Sequence, residues 1–495
     1  MNWFHIFGTT VIALLWGACP AYAQLSSEPT AGTRFPLQWT GELDPFISAR
    51  RLPPIDEPRS SISAADVEAI LDRLKTLEDA EQKRADAAAK KLAQESLRPT
   101  QQWTGRIHAD YWAFPDTSPG ANAFENGDSD LNVEDRFLFR RIRLGIQGDI
   151  ADNMFYKSEV DFNNPESPQL KDVYLGWEEL PLLQTLQIGN QKRPYGLDHI
   201  NSSRYNVFIE RPAIIEAFNQ DARRFGVCSY GVSEDLAYNW RLGAYMGRDM
   251  QNVGIVLATP VAERYQAEIA GRLANTFWYD EASEGRGWAH IGIAGTLATT
   301  DGDADDDVTT ARFQTRPEAR TQSRWFDTGV IAGAETYQLG GVEGVFNYGP
   351  TQLVGEFQHV WMQRDSGQEL SFHGAYGYIS YFLTGEHMEW DRTTGQLART
   401  QPFQNFFLVD TCDDGVEAGW GAWQVALRYS YVDFNDDDIE GGVGHEVTAG
   451  LDWLWNPYAK MQFNLIYGEI DDRRPEDGQT DAHFTILGTR MLVDF

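Results

Sequence analysis

The sequence predicts an all-β protein: a transmembrane antiparallel β-barrel of about 16 strands, preceded by a short α-helix with coiled-coil character. Three observations lead there. Runs of residues alternate with period two, one face apolar and the other charged, as in a sheet wetted on one side only. Aromatic residues, 13 % of the chain, gather at the ends of these apolar faces, as membrane–water interfaces select. The mean hydropathy of −0.43 and a single long apolar run exclude a bundle of membrane helices, whereas barrel strands need only about ten residues each.

Residues 1–23 read as a secretory signal peptide, with an apolar core Val11–Trp16 and Ala21-Tyr22-Ala23 before Gln24. Residues 24–63 are rich in Pro and Ser and read as an extended linker. Residues 64–98 form the helical or coiled-coil segment. Val67, Ile70, Leu74 and Leu77 follow a 3-4-3 spacing, a run of good helix formers continues to Ser96, and Pro99 stops it. From residue 103 to 495 the period is two. At about 25 residues per strand and connection, this length accommodates roughly sixteen strands.

In the first strand Trp103, Ile107 and Tyr111 face outward and Arg106, His108 and Asp110 inward. The same division recurs in Tyr238–Met246, Trp423–Tyr431, Val447–Trp455 and Met461–Tyr467. WEELPLL at 177–183 is a short turn. The central stretch runs from Phe139 to Arg224. It opens with strands in which Arg141 and Arg143 oppose Ile142 and Leu144, and Lys157, Glu159 and Asp161 oppose Tyr156 and Val160. After Gln191 alternation gives way to an irregular, basic segment holding Lys192, Arg193, Arg204, Arg211, Arg223 and Arg224, read as a loop folded into the lumen.

The formal net charge is −32, and after residue 102 there are two acids for every base. This excess argues against nucleic acid or anionic lipid as a partner. The acids cluster at 301–307, 413–414, 436–438 and 471–481, between strand-like runs, and read as loop tips. DGDADDD resembles a calcium loop, but Arg312 stands where a closing Glu is needed. Cys228 and Cys412 are too few for a disulfide framework and read as unpaired thiols. No cofactor or metal is expected. No G-x-S-x-G or H-E-x-x-H motif occurs, so no enzyme is expected either.

The segments FRRIRLG, KDVYLGW, LQIGNQKRPYGL and NSSRYNVFIERP occur in this order. SYFLTGEH (380–387), GAWQVALRYSYVDFND (421–436) and LDWLWNPYAKMQFNLIYGEID (451–471) follow. Together they resemble the phosphate-selective porin family (porin O/P type) of bacterial outer membranes, from Trp103 to Phe495. The resemblance implies a sixteen-stranded trimeric barrel with an arginine ladder and a constriction made by the third extracellular loop. Short turns and the residue 64–98 helix would then be periplasmic. The last strand, alternating from Leu487 to Phe495, resembles the signal read by the outer-membrane assembly machinery.

On this resemblance Arg106, Arg140 and Arg141 match arginines that line the family's pore, and Arg211 lies in the matched loop. Alternation places Arg106, Arg141 and Arg143 inward; Arg140 needs a bulge to join them. Arg312, Arg316, Arg320 and Arg324 form a second cluster, in a loop because Pro317 interrupts it. Arg106, Arg140, Arg141, Arg143, Lys157, Arg316, Arg320 and Arg324, with Lys192, Arg193, Arg204, Arg211, Arg223 and Arg224 of the basic segment, are the candidate anion contacts, because guanidinium replaces lost hydration with forked, permanently charged donors; Lys171 is a further counterpart of the family's lysine cluster. The expected solutes are inorganic phosphate, polyphosphate or other small anions. The acidic excess leaves two alternatives: a general or cation-leaning porin, and a structural tether between outer membrane and cell wall.

Overall fold

In the computed structural model the described residues are 99–218, 223–246, 267–302, 309–410 and 416–495, with 68, 71–77 and 80–84 of an N-terminal helix. The signal, the linker, Cys412 and most of the acidic loop at 301–307 lie outside them. The described residues of the N-terminal helix are exposed, Leu71, Leu74 and Leu77 included.

Sixteen antiparallel strands close into one barrel. They are β1 (Gln102–Thr117), β2 (Arg136–Ala151), β3 (Met154–Asp161), β4 (Gln169–Leu180), β5 (Gln184–Lys192) and β6 (Arg223–Val232). Next come β7 (Tyr238–Met246), β8 (Ala267–Tyr279), β9 (Gly287–Thr299), β10 (Ala334–Tyr348) and β11 (Thr351–Arg364). The last five are β12 (Glu369–Phe382), β13 (Ala422–Asp436), β14 (Ile439–Asn456), β15 (Ala459–Arg473) and β16 (Ala482–Asp494). Each pairs with its sequence neighbour, and β16 closes on β1 through Arg106↔Asp494 to Thr117↔Phe484. Closure leaves no unpaired sheet edge, which a bilayer would penalise.

The outward faces are those read from the alternation. Trp103, Ile107, Tyr111, Leu242, Leu427, Tyr429, Val447 and Met491 are exposed, while Arg106, His108, Asp110, Arg428 and Arg490 are buried. Connections alternate between two ends. At one end they are two to seven residues long, apart from 383–421; the other end carries the long loops.

One sequence expectation needs correcting, namely a uniformly polar inner wall. Toward the loop end β12–β16 point Leu370, Phe372, Val432, Phe434, Ile466, Ile470, Phe484 and Ile486 inward, all buried. The inserted loops cover them. Phe218 packs on Phe434 and Phe313 (centroids 5.9 and 5.2 Å), Phe313 on Phe372 (5.7 Å), and Trp325 on Phe484 (5.0 Å). Each such ring contributes about 2–3 kcal/mol by burial. Gly444 makes this approach possible, since a Cβ there would stand 2.2 Å from the Phe326 ring.

Candidate functional site

A polar chamber of about 690 Å³ lies inside the barrel between the walls of β1–β7, the 193–218 segment, residues 316–324 and residues 394–396. Fourteen Arg and Lys side chains line it, against two carboxylates, Asp172 and Glu216. Twelve of the sequence candidates are among them: Arg106, Arg140, Arg141, Arg143, Lys157, Lys192, Arg204, Arg211, Arg223, Arg316, Arg320 and Arg324. The other two cations are Lys171 and Arg241.

Two β-bulges raise the charge of the β1–β4 wall. The β1–β2 register runs His108↔Arg141 then Ala109↔Phe139, so Arg140 is the extra residue and faces inward beside Arg141. The β3–β4 register runs Ser158↔Val173 then Val160↔Leu170. There Lys171 and Asp172 together oppose Glu159. An inserted residue breaks the period of two and re-aims one side chain.

The cations descend in tiers. Near the loop end Arg140 forms a forked pair with Glu210 (2.9 and 3.2 Å), beside Arg141, Arg316 and Arg320. Arg141, Arg316 and Arg320 have no carboxylate ion-pair partner among the described residues; Arg141 faces His108 Nδ1 (3.3 Å), and Arg316 donates to the Thr321 and Gln322 carbonyls. In the middle tier one carboxylate serves three arginines. Glu159 meets Arg106 and Arg143 at 3.0 Å and Arg223 at 3.9 Å. Below, Asp172 pairs with Arg223 (2.6 Å) and Lys157 (3.3 Å). Toward the turn end Arg241 lies over the Tyr230 ring, 4.9 Å from its centroid.

The loop after β5 is held rather than draped. Its helix α1 (Leu197–Ile200) starts on Glu356, which accepts from the Leu197 and Asp198 amides at 3.0 and 2.7 Å. Lys192 closes the other end by donating to the carbonyls of His199, Ile200 and Asn201 (2.9, 3.1 and 2.8 Å). Arg211 donates to the Asp198 and Asn201 carbonyls. Helix α2 (Ala213–Phe218) then buries Ile214 and Ile215 against the wall. Lys192 is therefore a brace of the loop as well as a lining group.

Two buried acids serve as latches behind this lining. Glu318 ties the 309–332 segment to Arg428, Ser430 and Thr448, and Glu125 accepts from the Gln322 and Ser323 amides and Trp325 Nε1. Acids spent this way contribute little net negative charge to the chamber.

Arg193 and Arg224 correct the sequence reading: neither lines the chamber. Arg193 pairs with Glu268 of β8 (2.9 Å) and stacks over Tyr195, and Arg224 donates to the Arg223 carbonyl. Successive side chains in extended backbone diverge, and Lys192 and Arg223 take the chamber side. Arg312 likewise pairs with Asp327 away from the lining. The one site cation that sequence reading left out of the anion set although alternation had placed it inward is Arg241.

Among the loop groups, burial followed by Arg140 lowers Arg320 to about 9, so it keeps its charge at neutral pH. Burial, then Lys192, holds His199 well below the usual imidazole value. Burial would raise Glu210, but Arg140 and Arg490 hold it well below the usual carboxylate range. None of the three changes charge near neutrality. H199Q is accordingly expected to leave the pH profile of the reversal potential between about pH 6 and about pH 8 unchanged, and a changed profile would contradict that assignment.

A closed antiparallel barrel, apolar outside and charged within, is the architecture of outer-membrane porins. The chain belongs to the family of phosphate-selective porins O and P, whose family model matches residues 102–495. It is 26 % identical over 366 residues to an uncharacterized protein of Caulobacter vibrioides, covering 72 % of this chain and 68 % of that one. Among solved structures it is similar to the trimer form of OmpT from Vibrio cholerae (10 % identity, 80 % and 100 % coverage, TM-score 0.48). An anion-selective porin from Comamonas acidovorans is also similar (14 % identity, 80 % and 100 % coverage, TM-score 0.44).

Proposed function

We propose that this porin lets small anions, inorganic phosphate among them, diffuse passively through the arginine-lined chamber. The observation that carries the reading is that fourteen cations line the chamber in a chain of net charge −32, while the carboxylates that line it or pair with those cations are seven, Glu159, Asp161, Asp172, Asp198, Glu210, Glu216 and Asp494, among the described residues. Guanidinium groups replace the hydration an oxyanion sheds, and a series of tiers passes it onward instead of trapping it. Arg141, Arg316 and Arg320 attract the ion first. In the middle tier Glu159 competes with the ion for Arg106, Arg143 and Arg223, which keeps binding weak enough for release. Arg106 Nε and Arg141 Nε are buried without a protein acceptor and are ready donors for the ion.

The long-loop end faces outward and the turn end faces the periplasm, the compartment in which the N-terminal helix also lies. The assembly is a homotrimer, and Leu74 and Leu77, exposed in the helix, belong to the 3-4-3 apolar seam of the stalk. The test is the reversal potential of the purified protein in planar bilayers across a KCl gradient, repeated with phosphate. Chloride preference with millimolar phosphate block is expected. Cation preference without block would replace this reading with the general, cation-leaning porin.

A further inference from the structure

At the turn end six connections are two to seven residues long, but 383–421, between β12 and β13, is far longer, and its residues 388–399 turn back into the barrel. It is anchored on the walls of β7–β9. Trp390 stacks on Trp288 (centroids 4.4 Å) and donates to Thr276 (3.0 Å), while Trp288 Nε1 donates to the Met388 carbonyl (3.0 Å). Asn239 donates to the carbonyls of Arg392 and Thr393, at 2.9 Å each. Gly395, with φ of +62°, ends a tight turn, and its carbonyl accepts from Arg272 (3.2 Å). A Cβ at Gly395 would sit 2.8 Å from Asn239 Oδ1, so the turn is fitted to the wall.

This segment also meets the loop after β5. The Leu397 amide donates to Asn201 Oδ1 (3.1 Å), and Arg399 and Arg204 share the Asp494 carboxylate. The Gln396 amide bridges the two, its nitrogen donating to the Ile200 carbonyl (2.9 Å) and its oxygen accepting from Arg241 (3.1 Å). Thr394 and Gln396 line the chamber. Arg241 has a ring and an amide as partners and no carboxylate ion pair among the described residues.

We propose that residues 390–399 form the turn-side exit station of the pore, where a leaving ion passes Thr394 and Gln396 and takes its last charged contact from Arg241. The claim rests on the anion reading above for the sign of the ion, not for the path. A neutral hydroxyl and amide beside one cation make a weak last site, which favours release over retention. The segment then limits both conductance and selectivity from the periplasmic end, independently of the loop-end arginines.

The test uses T394C in the full chain, with Cys228 and Cys412 replaced by alanine and serine. Anionic and cationic methanethiosulfonate reagents are added to planar bilayers, and labelling is checked by mass spectrometry. Modification is expected to cut the current by at least about half, the anionic reagent reacting faster. R241Q, which leaves the backbone anchors in place, is expected to lower anion preference without closing the channel. A labelled or unreactive T394C with undiminished current, in a channel that is anion-selective, would overturn the exit station alone. A cation-selective parent channel that is still blocked at this position would overturn the anion reading and keep the path.

Discussion

The double variant R141Q/R320Q is expected to lose most of the anion preference while still forming open channels. These two arginines lie in the upper tier and have no carboxylate ion-pair partner among the described residues, so their charge is offset only at longer range, by Glu210 and Glu216. At about 4 Å one unit charge is worth about 4 kcal/mol to an ion at an effective dielectric of 20, and about 1 kcal/mol in water. A tenfold change in permeability ratio corresponds to about 1.4 kcal/mol, so losing two charges worth at least about 1 kcal/mol each is expected to lower the ratio by roughly 30-fold or more. R312Q is the matched control, because Arg312 is already neutralised by Asp327 off the lining. Equal effects of R312Q and R141Q/R320Q on reversal potential would mean that general loop charge, not the chamber, selects the ion.

R490M is expected to be the most damaging single substitution for stability. Arg490 of β16 is 1 % exposed. It pairs with Asp110 of β1 (2.7 and 2.6 Å) and Glu210 of the inserted loop (2.6 Å), and donates to the Ile209 carbonyl. One side chain thus joins the barrel seam to the constriction loop. Its removal leaves Asp110 buried and unpaired, at a cost of about 3–5 kcal/mol. The temperature at which the folded form is lost on semi-native gels should drop clearly, and conductance should rise as the loop loosens. R364Q breaks a pair with Asp438, which is 56 % exposed, and should cost no more than about 1 kcal/mol. Similar melting of R490M and R364Q would show that the seam pair does not hold the loop.

Much of this molecule was legible residue by residue. The alternation at Trp103–Tyr111, Tyr238–Met246 and Trp423–Tyr431 correctly separated outward from inward side chains, because a strand's facing depends only on its own period. Seven of the twelve candidates that line the chamber lie on strands, where inward positions of adjacent strands must share a lumen, while Arg204, Arg211, Arg316, Arg320 and Arg324 reach it from the inserted loops. Arg140 and Lys171 depended on bulges, whose position is set by pairing with β1 and β3 and leaves no mark in their own strands. Arg193 was misread because nothing local announces Glu268, which lies 75 residues away.

The sequence by itself determined the barrel, its strand count, its lipid face and the basic character of the loop after β5, since each follows from local periodicity and composition. Tertiary structure decided the sign of the chamber. Net charge sums over residues without regard to place, and only the fold spends Glu125, Glu318 and Glu356 as latches while the arginines line the chamber. It also decided that residues 388–399 of the 383–421 connection enter the lumen, because that depends on Trp288, Asn239 and Arg272, contacts 100 or more residues distant in the chain.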